Sequence, residues 1–133
     1  KSKDGRILIN LTGLTRFEAL EEIKNDKLYR EFKVNYEKFD TDLKPLSEEV
    51  DILSLMEKAK TFFNKNGLLL NWIEFEKLDE LQKINTLAMI APITNEEKQK
   101  LLETILFSEK IEILEEIINF YLHDTSFNNQ TVQ

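Results

Sequence analysis

The fold class is decided by the stretch Leu28-Tyr-Arg-Glu-Phe-Lys-Val-Asn-Tyr-Glu-Lys-Phe39, in which apolar and polar side chains alternate. Phe32, Val34 and Tyr36 share one face of an extended chain, and polar residues stand between them. A repeat of two residues is typical of a strand with one buried face. The stretch therefore predicts an amphipathic β-strand over residues 28–39.

Residues upstream of this stretch extend the strand-rich part of the chain. The alternation in Ile7–Thr12 predicts a half-buried strand, and Gly13 permits a tight bend after it. Residues 15–23 carry apolar side chains at both helical and strand spacing, so periodicity alone does not decide their structure. Asn25-Asp26 is a turn signal, and the runs on either side of it are predicted to pair as antiparallel strands.

After Pro45 the apolar repeat changes to that of a helix. The first helical stripe is predicted to start at an N-cap, Ser47, and to end at Asn66-Gly67. A short helix around Trp72–Leu78 follows, and a longer one over residues 81–91 stops before proline 92. The chain is thus predicted to be strand-rich in front and helical behind.

Two further helix starts are predicted from capping residues. Thr94-Asn-Glu-Glu97 matches a capping box, in which the threonine and glutamate side chains each bind the other's backbone N–H. Ser108 is predicted to cap a last helix, whose apolar face runs from Ile111 to Leu122. Residues 125–133 are polar and are predicted to form a flexible tail. The predicted divisions are therefore 1–44 (strands), 45–124 (helices) and the tail.

Composition excludes several classes of function. The 133 residues include 18 Lys+Arg and 25 Asp+Glu, for a net charge of −7, and the acidity belongs to the helical part. Such a balance disfavours nucleic-acid binding, which needs clustered cations. There is no cysteine, so disulfides and thiolate chemistry are excluded. No run approaches the ~20 apolar residues of a membrane span.

The sequence also lacks recognisable catalytic motifs. No phosphate-binding G-x-x-x-x-G-K-[ST] loop and no G-x-S-x-G motif is present, and the one histidine, His123, cannot build a histidine metal site. Adjacent carboxylates such as Glu115-Glu116 point about 100° apart on a helix, so they do not converge. The sequence predicts no catalytic residue, no metal site and no cofactor.

Four aromatic residues are the candidate polypeptide-binding residues: Tyr29, Tyr36, Phe39 and Trp72. Aromatic side chains supply large contact areas, but the alternative for each is packing in or near the core, and that alternative is favoured. Arg16 is a further candidate contact, and its favoured alternative is a structural arginine.

Two segments read together resemble the amino-terminal, substrate-binding domain of Lon proteases. In the first, a strand leads to a Gly-x-x-Arg-Phe motif, a strand with acidic residues and a tyrosine-containing strand. In the second, a proline break precedes a Glu-Lys-Gln-x-Leu-Leu-Glu helix. The matching residues are Gly13, Arg16, Phe17, Glu21, Glu22 and Tyr29 in the first segment, and Glu97, Lys98, Gln99, Leu101, Leu102 and Glu103 in the second.

The resemblance implies an α+β fold, an incomplete PUA-like β pseudo-barrel of antiparallel strands followed by an α-helical bundle, with residues 15–23 as a strand. The family's opening strands are missing, so we expect either an amino-terminally truncated domain or a sheet whose open edge another chain or copy completes. It is most similar to stand-alone bacterial Lon-domain proteins, which implies a cytoplasmic location.

The function implied by the resemblance is non-catalytic recognition of unfolded or partly folded polypeptides, with a protease or chaperone as a possible further partner. The first alternative is a domain of a complete ATP-dependent Lon protease, which the length of the reading frame would reveal. The second is RNA binding, since PUA-like folds include RNA readers. The net charge argues against it, and neither a nucleic acid nor a membrane is the expected partner.

Overall fold

The computed structural model describes residues 5–44 and 50–124. The chain divides into two compact units, Lys1–Ser47, the front unit, and Glu48–Gln133, the helical unit. Together they make an α+β protein. The described elements of the front unit are β1 (Glu18–Ile23), β2 (Glu31–Asn35) and a 3-10 helix (Glu37–Leu43). Those of the helical unit are α1 (Leu53–Lys65), α2 (Trp72–Glu76), α3 (Glu80–Ile90), α4 (Asn95–Glu103) and α5 (Phe107–His123).

The front unit is built on a two-stranded antiparallel ribbon, as the turn signal predicts. Its register places Ala19 opposite Val34 and Glu22 opposite Phe32, with an irregularity after Ala19. In the connection, the backbone N–H of Lys27 donates to the side-chain oxygen of Asn25 at 2.9 Å. This local bond stabilises the turn that brings the two strands together.

Two strand predictions for the front unit are wrong in extent. Ile7–Thr12 forms no strand, because alternation gives a strand only where a neighbour pairs with its backbone, and no described residue does so. The strand predicted over residues 28–39 is confined to β2. The chain then turns into the 3-10 helix, in which Phe39 has non-helical backbone angles and a buried ring.

The helical unit has one continuous apolar core, drawn from all five helices and the loops between them. Its largest fully buried side chains are Leu55, Phe62, Phe63, Ile84, Leu87, Leu101, Leu114 and Ile118. They recur at helical spacing, so each long helix turns one stripe inward. The predicted stripe of α5 is confirmed, since Ile111 and Leu114 are buried in this core.

The carboxyl end of α1 stops where the sequence predicts. Gly67 has φ +66°, a left-handed conformation that glycine adopts without steric cost. Its N–H donates to the carbonyl of Asn64 at 3.1 Å, and Leu68 N–H donates to that of Phe63 at 3.0 Å. This paired pattern is a Schellman motif, which satisfies carbonyls that a helix end leaves open.

The amino end of α1 differs from the prediction. The helix begins at Leu53, with Ile52 at its N-cap position, and the Leu53 N–H donates to the Asp51 carboxylate at 2.9 Å. The predicted cap, Ser47, lies outside the described residues, and so does the predicted tail. Asp51, two residues before Leu53, thus accepts a hydrogen bond from the first turn, a role that the sequence prediction gave to Ser47.

The capping box that starts α4 is confirmed. The Glu97 carboxylate accepts from the Thr94 N–H at 2.8 Å, and the Glu97 N–H donates to the Thr94 hydroxyl at 3.2 Å. The Tyr121 hydroxyl of α5 donates to the same carboxylate at 2.9 Å. Burial and this hydrogen bond raise the pKa of Tyr121. The box therefore also ties α4 to α5.

Two other helix starts differ from the sequence prediction. Asp79 and Gln82 form a second capping box at α3, which had not been predicted although the residue types fit it. The predicted cap Ser108 is wrong, because α5 already begins at Phe107 with Leu106 at its N-cap position. Ser108 has the residue type of an N-cap, but it lies inside the first turn of α5 and does not cap the helix.

One ion pair joins α1 to α5. The Lys58 ammonium donates to Glu115 at 2.6 Å, and the Ser54 hydroxyl donates to the same oxygen at 3.0 Å. The hydrogen bond from Lys58, with a smaller one from Ser54, holds the pKa of Glu115 below 4.5. Because the carboxyl is easier to ionise in the folded state, this pair stabilises the fold above pH 4.5 and the stability is lost as pH falls further.

We expect Glu115→Gln to flatten the acid limb of the stability profile. Between about pH 6 and about pH 3, the melting temperature of the variant should fall less than that of the parent. The reason is that the variant lacks the paired Glu115 carboxylate, which the parent protonates in this range. Thermal melts followed by circular dichroism across this range measure the effect. Glu116→Gln, at the exposed neighbouring position, is the matched control and should keep the parent's profile. Parallel profiles for all three proteins would contradict the assignment.

Candidate functional site

The two faces of the front ribbon differ in chemistry. Side chains alternate across a strand, so the register sorts the ribbon into two faces. The polar face carries Glu21 opposite Lys33, and Glu18 opposite Asn35. The other, here called the aromatic face, consists of Phe17, Ala19, Phe32, Val34 and Tyr36, with Glu22 opposite Phe32. The ribbon is thus amphipathic, as its alternation predicts.

The aromatic face is open to solvent. Phe17 is 53% exposed, Phe32 41% and Tyr36 54%. The rings of Phe17 and Tyr36 meet edge to face with centroids 6.2 Å apart, so neighbouring strand ends form one continuous surface. A two-stranded ribbon with one apolar face is marginal in water unless something covers that face. The face is therefore suited to contact with another polypeptide.

Residues 5–14, here called the amino-terminal segment, add further exposed apolar surface. It contains five large apolar side chains that are between 71% and 89% exposed: Ile7, Leu8, Ile9, Leu11 and Leu14. It has no regular secondary structure. Isolated exposed leucines are ordinary, whereas three consecutive exposed apolar side chains, Ile7, Leu8 and Ile9, form a stretch of the kind found at interaction surfaces.

An ion pair borders the aromatic face. The Arg30 guanidinium donates two hydrogen bonds to Glu22, at 2.7 and 2.8 Å, and also lies 5.0 Å from the Phe32 ring centroid. The hydrogen bond from Arg30 lowers the pKa of Glu22, and its counterpart raises that of Arg30. Both groups stay charged near neutral pH, so the apolar surface has a fixed polar rim.

Arg16 of the Gly-x-x-Arg-Phe motif has a structural role. Its Nη2 lies 2.6 Å from Asp42 Oδ1, while its Nε and backbone N–H each lie 2.9 Å from Oδ2. The guanidinium also stacks 4.5 Å from the centroid of Phe39. The residue thereby joins the chain before β1 to the 3-10 helix after β2. The favoured alternative, a structural arginine, is the one that the geometry supports.

The four candidate aromatic residues are not gathered at one place. Tyr36 lies on the aromatic face, and Tyr29 is 60% exposed in the connection between the strands. Phe39 is 4% exposed beneath Arg16. Trp72 belongs to the helical unit, where its ring meets those of Phe63 and Phe75 at 5.9 and 5.5 Å.

Phe17 and Phe32 were not singled out as candidate site residues. The signal that could have found Phe32 was present, because it shares its strand parity with Val34 and Tyr36. Phe17 could be assigned to this face only from the register of the two strands, since it directly precedes β1 and not β2.

The helical unit has a shallow cleft of about 460 Å³ beside the start of α1. Among its lining residues, Lys60 and Lys83 both donate to Glu76, at 2.9 and 3.3 Å. These two bonds lower the pKa of Glu76. The two lysines therefore share a carboxylate of the cleft itself, and the arrangement contains no nucleophile with a base.

Residues 5–44 and 50–124 contain no group of three or more acidic, histidine or cysteine side chains placed to hold a metal ion. No helix within these ranges has the length and apolar character that a membrane crossing requires.

Residues 1–119 match the family model of the substrate-binding domain of ATP-dependent protease La (LON). The match covers 119 of the 133 residues, including the ribbon and all but the last turn of α5. No curated protein and no solved structure gives a significant match.

Proposed function

Because the chain belongs to the family of Lon substrate-binding domains, we propose that it binds unfolded polypeptides at exposed apolar segments and cleaves none of them itself. The family predicted from the sequence is confirmed by the match over residues 1–119. The family supports recognition of polypeptide substrates, and the finer statement about unfolded clients is the proposal. The PUA-like barrel likewise remains a prediction.

The observation that carries the proposal is the exposed aromatic face with the amino-terminal segment beside it in sequence. Unfolded chains present apolar side chains and unpaired backbone groups together. The aromatic face supplies apolar contact, and the outer edges of β1 and β2 supply N–H and C=O groups for strand addition. We assign the site to Phe17, Phe32 and Tyr36.

The four aromatic residues predicted from the sequence to bind polypeptide have different roles in the proposal. Tyr36 is a contact residue, and Tyr29 is an exposed neighbour in the same unit. Phe39 holds Arg16 in place beneath the ribbon's ends. Trp72 packs on the core of the helical unit, which favours the alternative of structural packing for it.

Binding to an unfolded client tests the proposal. A labelled client held unfolded by disulfide reduction should bind, and its oxidised, folded form should not, as measured by fluorescence anisotropy. Changing Phe32 and Tyr36 together to serine should weaken binding at least about tenfold, because two half-exposed aromatic rings contribute on the order of 1 kcal/mol each. Circular dichroism shows whether the variant keeps its fold.

Phe120→Ser is the matched control, since Phe120 is 59% exposed but lies on α5. It should bind the unfolded client as the parent does. Equal or negligible binding to both forms of the client would overturn the proposed function. Equal weakening by Phe120→Ser would overturn its assignment to the aromatic face.

The family match also fits the other function predicted from the sequence, a domain of a complete ATP-dependent protease. The aromatic face would then present clients to catalytic domains elsewhere in the same polypeptide. A reading frame that encodes an ATPase and a protease domain together with this chain distinguishes the two cases.

A further inference from the structure

We propose that, in the absence of a client, the aromatic face is covered by the same face of a second copy of this chain. The two ribbons would pack face to face as an isologous dimer, in which each copy offers the same patch. Self-association is thus assigned to the face of the ribbon, whereas the sequence had suggested an open sheet edge.

The exposed area is the first argument for a second copy. Taking about 150–200 Å² for each fully exposed large apolar residue, the three rings of the aromatic face present about 220–300 Å² and the five apolar side chains of the amino-terminal segment about 600–800 Å². A monomer's largest apolar patch is usually about 300–600 Å². Each partner of a standard interface buries about 800 Å², so a second copy matches the available surface when the amino-terminal segment joins the aromatic face in the contact.

Charge is the second argument. Residues 1–40 hold 9 Lys+Arg and 8 Asp+Glu, so two copies of this part meet without a strong net repulsion. The helical part, residues 41–133, holds 9 and 17, and two copies of it repel. Contact between copies is therefore favoured at the ribbon and disfavoured at the helical unit.

The ribbon's edges are poorer surfaces for self-pairing than its face. Antiparallel pairing of β2 with another β2 about its middle places two copies of Lys33 opposite each other. Pairing of β1 with another β1 brings Glu21 and Glu22 close to their equivalents. Like charges on neighbouring strands destabilise a sheet, and edge lysines are a common safeguard against such pairing. On the aromatic face the charged groups are Glu22 and Arg30, which pair with each other beside Phe32, so two copies of this face do not set like charges alone against each other.

Sedimentation velocity without any client tests the dimer. The parent should move from a mass of 15.7 kDa toward twice that value as its concentration rises through about 1–100 µM, the range of a modest interface. Phe32→Glu with Tyr36→Glu should remain monomeric throughout. A parent that stays monomeric at every concentration would overturn the proposal, whether or not it binds clients.

Cross-linking tests which face is involved, without disrupting the aromatic rings. The chain has no cysteine, so a single introduced thiol can bridge only to another copy. Val34→Cys on the aromatic face should be joined by a short bismaleimide into dimers at least about tenfold faster than Lys33→Cys on the polar face, because only one face meets its equivalent. Equal rates would overturn the face assignment. A dimer that ignores unfolded clients would overturn the proposed function alone.

Discussion

Phe62→Ala is expected to lower the free energy of unfolding of the helical unit by about 3–5 kcal/mol. Phe62 lies on α1 and is 1% exposed, and its ring centroid is 5.6 Å from that of Tyr121 on α5. It also meets the Phe63 ring at 6.2 Å. Alanine leaves a cavity between two helices whose positions are fixed by many other contacts, so the structure closes over it only in part.

Urea denaturation followed by far-UV circular dichroism measures this loss. A change of this size lowers the melting temperature of a unit of this length by more than about 10 °C. Phe120→Ala removes the same side chain from an exposed position and should cost less than about 1 kcal/mol. Similar losses for both variants would mean that α1 and α5 do not pack through Phe62.

Much of the helical unit could be predicted from the sequence, because its signals are local. The Thr94–Glu97 box and the Gly67 stop each depend on residues within one helical turn of each other. Their hydrogen bonds form whatever the rest of the chain does. The apolar stripe of α5 is local in the same sense, since 3.6-residue spacing determines which side chains share a face.

The front unit was harder to predict because its strands depend on partners. Ile7–Thr12 alternates as well as β2 does, yet only β2 has a paired neighbour among the described residues. Alternation reports which side chains would share a face and says nothing of whether a neighbour is present. The helix starts failed for another reason. Ser108 had the residue type of a cap, but Leu106 occupies the N-cap position.

The candidate site shows the same division. Tyr36 and Phe39 are both candidates because they are aromatic. Tyr36 also belongs to the predicted apolar face of the strand, and it is 54% exposed. Phe39 lies in the 3-10 helix after β2, where its ring is buried beneath Arg16. That contact spans the whole ribbon in sequence, so no local pattern reveals it.

Asp42→Ala is expected to destabilise the front unit by about 2 kcal/mol while leaving the helical unit unchanged. The Asp42 carboxylate accepts hydrogen bonds from the backbone N–H and the guanidinium of Arg16, and the two side chains are 15% and 17% exposed. Hydrogen bonds to charged groups contribute about 1.5–3 kcal/mol, and a partly desolvated arginine that loses this carboxylate adds to the cost. The anchor between the two ends of the ribbon is then weakened.

Native-state hydrogen exchange reports each unit separately, which a global melt does not. The paired amides of β1 and β2 should exchange about 30-fold faster in Asp42→Ala, the rate equivalent of about 2 kcal/mol, while amides of α1 and α5 keep the parent's rates.

Asp40→Ala is the matched control, because Asp40 lies in the same 3-10 helix and pairs with Lys44 at 2.6 Å in an exposed position. Exposed pairs of this kind contribute about 0.2–1 kcal/mol, so its ribbon should exchange at most about fivefold faster. If both variants accelerate exchange equally, Arg16 and Asp42 do not hold the ribbon together. If only Asp42→Ala does so, the arginine of the Gly-x-x-Arg-Phe motif supports, through Asp42, the surface that we propose for binding.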